Sequence, residues 1–306
     1  MINGKAVALL LAASVLSSTV LAPAETRSPH DKAFWRSIIR NDYRVPAGES
    51  PAALIEELSG YLGSPDPELR DEFAYSIPAA WIYRQQLLSK PELHALMAKW
   101  MSNLRTGVGQ TGNDSVLLRS FSALDLSTIA ALDNKKPVLE KEDFAALLTA
   151  AIEFMNGERD LRGYEPEKGW FHATAHTADL LKFLGRSRYL TDADQGRILD
   201  AIKAKLAGGG KVFVFGENDR MAAAVRSLVL RPDFNHQRFE AWLAPLPAAW
   251  KTLWAEPRLD TAKFAELENS KELLRNLVVQ LSLIEQPSPA VEDAKKKVLE
   301  CLAQLD

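Results

Sequence analysis

Apolar residues recur along most of this chain at the spacing of an amphipathic helix. From Phe144 to Met155, for example, they occupy positions i, i+3, i+4, i+7, i+8 and i+11. Proline marks the first turn of two further predicted helices, at Pro67 and Pro91. The one segment with strand character, residues 211–215, is short and follows three glycines. The pattern therefore predicts an all-α fold.

A second regularity relates the predicted helices to one another. Helices with a basic residue near their start recur at separations of 49, 53, 48 and 55 residues. These residues are Arg70, Arg119, His172, Arg220 and Arg275. A further amphipathic helix is predicted in each interval, at about residues 91–109, 140–156, 192–206 and 236–253. Two helices per unit and a period near 50 residues predict an αα-repeat, HEAT-like solenoid. The five residues, with Asp71 and Asp219, would then line one concave face.

The N-terminal residues have the features of a secretory signal peptide. Lys5 precedes an uncharged, mostly apolar run over residues 6–20, and residues 22–24 (Ala-Pro-Ala) fit the small-x-small cleavage pattern. The run is shorter than the roughly 20 residues that span a membrane. We therefore expect residues 1–24 to be a signal peptide. Residues 25–306 are then a single α-helical repeat domain, periplasmic or secreted, with no membrane span after cleavage.

Composition narrows the classes of partner. The chain has 37 basic and 40 acidic residues and a formal net charge of −3, whereas nucleic-acid-binding domains usually carry a basic face. We therefore expect no nucleic-acid partner. Cys301 is the single cysteine, so no intramolecular disulfide can form. Since 47% of the residues are apolar, the fold must be stabilised by packing.

Two histidines and an aspartate form the most informative polar group. His172, His176 and Asp179 lie at i, i+4 and i+7, so on a helix they share one face. Such a set could hold Zn²⁺ or Fe²⁺. However, Ala173 stands where the metalloprotease helix has its glutamate, and Asp179 is two turns from His172. The sequence therefore favours no metal and no cofactor, and a divalent ion on these residues is the less favoured alternative.

Three interpretations of this polar region stay open. It could be a structural network in which polar groups satisfy neighbouring helices. It could be a metal-free groove for a peptide, a glycan or a small anionic ligand, because arginine binds carboxylates and phosphates through two parallel bonds. It could also be the site of a hydrolase that uses the two histidines, with no catalytic residue assigned. The candidate binding residues are Arg119, Arg159, Asp160, Arg162, Lys168, Trp170, His172, His176, Asp179, Glu217 and Arg220.

Five short motifs carry a resemblance to a known family. They are residues 118–124 (LRSFSAL), 159–164 (RDLRGY), 168–172 (KGWFH), 175–179 (AHTAD) and 217–220 (ENDR). Over residues 50–230 the chain resembles the bacterial Domain of Unknown Function 2785, which usually has alanine in place of Phe171. The resemblance implies a helical fold, an unassigned activity and a C-terminal helical extension over residues 231–306.

Together these observations predict an exported, soluble α-solenoid that acts as a ligand-binding or protein-interaction module with a polar concave site. The alternative is a hydrolase of envelope glycans or peptides that uses His172 and His176, with or without a metal. The sequence leaves open whether the protein is an enzyme.

Overall fold

In the computed structural model, which describes residues 30–305, the chain is mostly helical, with almost no strand. The predicted signal peptide at residues 1–24 lies outside these residues. The α helices of the described part are α1 (Lys32–Arg40), α2 (Pro51–Leu58), α3 (Ser76–Ala79), α4 (Lys90–Arg105), α5 (Ser115–Lys135), α6 (Lys141–Gly157), α7 (Ala173–Leu184), α8 (Asp192–Ala207), α9 (Glu217–Val229), α10 (His236–Leu243), α11 (Pro245–Ala255), α12 (Thr261–Ser282) and α13 (Pro289–Leu302). Within the same residues, the only strands are β1 (Tyr164–Glu165) and β2 (Gly169–Trp170), which pair antiparallel. The prediction of an all-α fold is confirmed.

Local sequence explains where several helices begin and break. Thr191 caps α8 in a capping box with Asp194, as the spacing of these two residues predicts. The predicted helix over residues 236–253 is instead two helices, α10 and α11, which meet at Pro245. Proline has no N–H to donate to the preceding turn, so one continuous helix is not expected there.

The segment before α4 is irregular for a related reason. Two π-helical stretches, Glu68–Tyr75 and Ala80–Arg84, lie on either side of the short helix α3. Pro78 lies within α3 and lacks a backbone donor, and wider turns are a common way for a helix to accommodate such a gap. This irregular segment supplies one wall of the site described below.

The longer helices pack in two rows. α5 packs against α4 and α7, α7 packs against α9, and α9 packs against α12. In the other row α6 lies between α4 and α8, and α10 contacts α8 and α13. Four of the five helices predicted to have a basic residue near their start therefore correspond to one row, α5, α7, α9 and α12, and the helices predicted between them lie in the other row. The fifth residue, Arg70, lies in the π-helical stretch Glu68–Tyr75, and Arg275 lies well inside α12 rather than near its start.

Helix α5 is the centre of the core. Among the described residues it is the one helix that is long and apolar enough to cross a membrane by length and composition, with 89% of its apolar window buried inside the structure. Burial of that extent is typical of the core helix of a globular protein. Its position between α4 and α7 makes it the floor of the candidate site.

Candidate functional site

A cavity of about 640 Å³ lies between the π-helical stretch Glu68–Tyr75, α5, β2, α7 and the start of α9. We call it the histidine cavity. Its lining residues are Asp71, Glu72, Tyr75, Ser76, Phe121, Leu124, Trp170, His172, His176, Phe215, Gly216, Asp219 and Arg220. The cavity joins four of the predicted site residues, namely Trp170, His172, His176 and Arg220, from three separate motifs.

His172 is held in an unusual backbone conformation at the start of α7. Its φ of 50° is left-handed, and its N–H donates to the carbonyl of Arg162 at 3.1 Å. The ring stacks on Trp170, with centroids 4.6 Å apart and planes 22° apart. Its Nε2 lies 2.8 Å from the carbonyl oxygen of Phe215. A carbonyl can only accept, so Nε2 carries the proton of the neutral ring and Nδ1 keeps a lone pair. Burial lowers the pKa of His172.

His176 is fixed in the opposite tautomer. The Ser120 hydroxyl donates its proton to the carbonyl of Phe171 and lies 2.8 Å from His176 Nδ1. Because that hydroxyl has only one proton, Nδ1 must donate to it, which leaves a lone pair on Nε2. Burial, and then the neighbouring His172, lower the pKa of His176 to about 3. The cavity therefore contains two neutral imidazoles, each with one nitrogen that can accept a hydrogen bond.

Carboxylates add further acceptors. Asp71 forms an ion pair with Arg70, with Oδ1 2.7 Å from Nε, and burial raises the pKa of Asp71 to about 6. Glu72 is exposed, and Asp219 accepts a hydrogen bond from Gln280 at 2.9 Å. The cavity lining is thus richer in hydrogen-bond acceptors than in donors.

Arg220 is the one lining residue with a permanent positive charge. Its Nη1 lies 2.7 Å from Asp179 Oδ2, while the other Asp179 oxygen accepts from Lys182 at 2.6 Å. Asp179 is therefore engaged beside the cavity, and it balances part of the charge of Arg220.

The expectation that the five basic residues at the predicted helix starts line one concave face is wrong. Arg70 and Arg119 are fully buried. Arg119 Nε lies 2.6 Å from Glu158 Oε2, and its Nη1 donates to the carbonyl of Thr106. Arg275 forms an ion pair with Glu272 in the exposed part of α12. Of the five, only His172 and Arg220 line the histidine cavity.

Two cations of the predicted binding groove are paired with carboxylates of the chain. Arg162 donates to both oxygens of Asp160 and to Glu165. Lys168 Nζ lies 2.8 Å from Asp114 Oδ2. Carboxylates of the chain itself therefore neutralise the cations that were expected to receive an anion.

Two other candidates lie elsewhere. Glu217 is buried and accepts the N–H of Phe215 at 2.9 Å, so its role is to hold the loop before α9. Arg159 is exposed and does not line the histidine cavity.

The geometry does not form a metal centre. Within residues 30–305, no group of three or more histidine, cysteine, aspartate or glutamate side chains is placed to hold a metal ion. His172 lies directly before α7, and His176 and Asp179 lie within it. Each side chain interacts with a different residue: His172 with Phe215, His176 with Ser120 and Asp179 with Arg220. The less favoured metal alternative for these three residues is therefore not supported by their arrangement.

Sequence reasoning missed the residues that shape the cavity without carrying charge. Tyr75 and Phe215 line it, and Ser120 sets the tautomer of His176. One signal was available for Phe215, since it immediately precedes the Gly-Glu-Asn-Asp-Arg run that opens α9. No comparable local signal identifies Tyr75.

The comparisons with known proteins identify a family but no activity. A protein-family model described as "Protein of unknown function (DUF2785)" matches residues 104–279, which is more than half of the chain. The match begins later than residue 50 and continues beyond residue 230 into α12. No curated protein and no solved structure matches the sequence. The matched region contains all the site residues on α5, β2, α7 and α9.

Proposed function

We propose that this chain, a member of the DUF2785 family, binds a glycan in the histidine cavity. The family description names no reaction, so the proposal rests on the cavity, whose groups suit an uncharged ligand rich in hydroxyl groups. The observation that carries this proposal is the pairing of two neutral imidazoles with an accessible tryptophan ring in one cavity of about 640 Å³. A volume of that size is typical of small-molecule sites.

The polar groups of the cavity favour a ligand that donates many hydrogen bonds. His172 and His176 each offer a lone pair, and Asp71, Glu72 and Asp219 add carboxylate oxygens. Sugar hydroxyls donate to all of these groups, whereas an anionic ligand would meet the carboxylates of Glu72 and Asp219 and one arginine already paired with Asp179. This balance supports a neutral glycan over the anionic ligand.

The aromatic groups favour the same class. The Trp170 side chain is 39% exposed, and Tyr164 and Phe215 contact its ring edge to face, with centroids 5.0 and 6.2 Å away. These contacts hold the indole in place, so it loses little conformational freedom when a ligand packs on it. The apolar C–H face of a sugar ring is complementary to such an aromatic surface.

Isothermal titration calorimetry with two neutral probe series tests this proposal. The probes are β-1,4-linked oligomers of N-acetylglucosamine and of glucose. We expect the wild type to bind one series and Trp170→Ala to lose about tenfold in affinity, or ~1.4 kcal/mol. Trp254→Ala is the matched control, since Trp254 is 56% exposed on α11 and outside the cavity. If the wild type binds neither series, the proposal is wrong.

A second candidate, hydrolysis of the bound glycan, is favoured by one observation. Burial raises the pKa of Asp71 to about 6, so this carboxyl retains a proton in mildly acidic conditions and could act as a general acid. His176, with a pKa lowered to about 3, stays neutral in the same range and is poorly suited to proton transfer. Mass spectrometry of the same incubations, with Asp71→Asn as the control, would detect cleaved products.

We further propose that the two rows of helices form a HEAT-like αα-repeat solenoid. The helix pairs are α4 with α5, α6 with α7, α8 with α9, and the α10–α11 pair with α12. Support comes from the packing of α5, α7, α9 and α12 in sequence order, together with the period near 50 residues.

We also propose that the protein meets its ligand in the periplasm or outside the cell. The support is the sequence of residues 1–24, which has the charged start, apolar run and small-residue cleavage site of a signal peptide. Mass spectrometry of protein from its native host should find Glu25 as the first residue, and a retained leader would contradict export by this route.

A further inference from the structure

A second cavity adjoins the histidine cavity along α5. It has a volume of about 390 Å³, and we call it the tyrosine cavity because Tyr43, Tyr75 and Tyr83 line it. Tyr75 and Ser76 line both cavities. The two cavities are therefore neighbours that share one wall. The tyrosine cavity is lined by none of the site residues predicted from the sequence.

One stripe of α5 runs beneath both cavities. Phe121 and Leu124 line the histidine cavity, while Thr128 and Ala131 line the tyrosine cavity. These positions follow the spacing i, i+3, i+7 and i+10, so they lie on the same face of the helix. At a rise of 1.5 Å per residue, the stripe is about 15 Å long. The cavities are thus arranged end to end along one straight floor.

The same stretch of α5 also contains an unsatisfied polar group, which lines neither cavity. Asp125 lies between Leu124 and Thr128 on α5 and is fully buried. Neither of its carboxyl oxygens has a hydrogen-bond partner among the described residues. Burial raises the pKa of Tyr75, the phenol that lines both cavities. Burial raises the pKa of Asp125, so the neutral acid is favoured at this position.

The tyrosine cavity also offers hydrogen-bond acceptors, and Arg84 adds one positive charge to its lining. The hydroxyls of Ser127 and Thr128 donate their protons to the helix carbonyls of Leu124 and Asp125, so their oxygens remain free to accept. Tyr83 presents an aromatic ring that packs against Lys135, with Nζ 3.8 Å from the ring centroid. Acceptors and an anchored aromatic ring therefore recur at both ends of the floor.

We propose that the histidine and tyrosine cavities are consecutive subsites of one cleft that binds a linear oligosaccharide, with Tyr75 between the two subsites. This inference rests on the proposed glycan binding and adds the length and shape of the ligand. A monosaccharide would occupy one cavity only, whereas a chain along α5 would contact Trp170 at one end and Tyr83 at the other. Its affinity should therefore increase with chain length until both cavities are filled.

Calorimetry with one to six sugar units of the bound probe series tests the inference. In the wild type we expect affinity to increase by about tenfold or more from the shortest binding oligomer to the longest, equivalent to ~1.4 kcal/mol. Ala79→Trp would fill the tyrosine cavity from its half-buried wall. This variant should lose the length-dependent gain and keep the affinity for short oligomers within about twofold.

Matched variants separate this effect from misfolding. Val279→Trp adds the same side chain at an exposed position of α12 and should behave as the wild type. Tyr83→Ala removes the far aromatic ring without adding bulk and should also reduce the gain from chain length. Circular dichroism melting would verify that each variant is folded.

The possible failures are distinguishable. If the wild type binds short and long oligomers equally, or if both cavity variants keep the full length-dependent gain, the two-subsite inference is wrong while glycan binding stands. If the wild type binds no oligomer of either series, the proposed function is wrong, and this inference is wrong with it.

Discussion

At the scale of single residues, the chemistry of the site depends on hydrogen bonds that a side chain makes away from the cavity. The carbonyl of Phe215 fixes the proton of His172 on Nε2, and Ser120 fixes the proton of His176 on Nδ1. Both imidazoles are therefore preset as acceptors before any ligand arrives. A helix with histidines at i and i+4 predicts that the rings are close, but it does not predict these tautomers.

Because His176 is buried in its neutral form, we expect the free energy of unfolding to depend on pH. Its pKa is about 3 in the folded chain and near 6.5 when unfolded, so between these values only the unfolded chain binds the proton. The stabilising contribution is full above pH 6.5 and is lost as the pH falls toward 3. We expect the free energy of unfolding to fall by about 1.4 kcal/mol per pH unit from this group.

Chemical denaturation at pH 7, 5.5 and 4 measures this contribution, with His176→Gln as the reference. Glutamine can still donate to Ser120 but does not titrate, so groups common to both proteins cancel in the comparison. Asp71 is one such group: its raised pKa gives it the opposite trend, because its contribution is lost as the pH rises through about 6. Parallel curves for the two proteins would show that His176 is not buried in its neutral form.

At the scale of elements, the loop before α9 forms one wall of the site and packs against the β1–β2 hairpin. The loop before α9 is held through Asn269, which accepts the N–H of Phe213 and donates to the carbonyl of Lys211. Phe215 then lies against Gly163, where a β-carbon would be 2.0 Å from the phenylalanine ring. The absence of a side chain at Gly163 therefore permits the position of Phe215 and, with it, the Phe215–His172 hydrogen bond.

Gly163→Ala should displace Phe215 and disturb the site. The added methyl group cannot fit beside the ring, and overpacking of this kind typically costs 1–3 kcal/mol. We expect a lower melting temperature together with weaker glycan binding. Gly60→Ala is the matched control, because its β-carbon meets nothing within 4 Å. Equal behaviour of the two variants would contradict the close contact between Gly163 and Phe215.

The helices could be predicted from the sequence, whereas the residues that line the cavity could be predicted only in part. Helical periodicity is a local property of the sequence. The helices predicted at residues 91–109, 140–156 and 192–206 therefore lie close to the observed α4, α6 and α8, whereas Pro245 divides the one predicted at 236–253. Arg70 and Arg119 look like exposed basic heads in sequence, but distant partners bury them: the carbonyl of Lys168 and the carboxylate of Glu158. Burial of this kind depends on tertiary contacts that a periodic pattern does not contain.

At the scale of the whole molecule, the order of packing predicts how stability is distributed. If the helix pairs form a solenoid, each pair contacts mainly its neighbours, and a local change should weaken nearby pairs more than distant ones. If the described residues instead form one cooperative core, every helix should lose protection together. Two fully buried leucines, Leu117 in α5 and Leu277 in α12, lie in distant members of the same row.

Leu277→Ala and Leu117→Ala, compared by hydrogen exchange, distinguish these two cases. Each substitution leaves a cavity in the core and should lower stability by about 2–5 kcal/mol. For a solenoid, Leu277→Ala should increase amide exchange chiefly in α12, α9 and α13, which pack together, and leave α4 and α5 nearly unchanged. Leu117→Ala should give the reverse gradient. Because each variant is the control for the other, an equal loss of protection in all helices for both variants would refute the repeat architecture and leave the all-α fold intact.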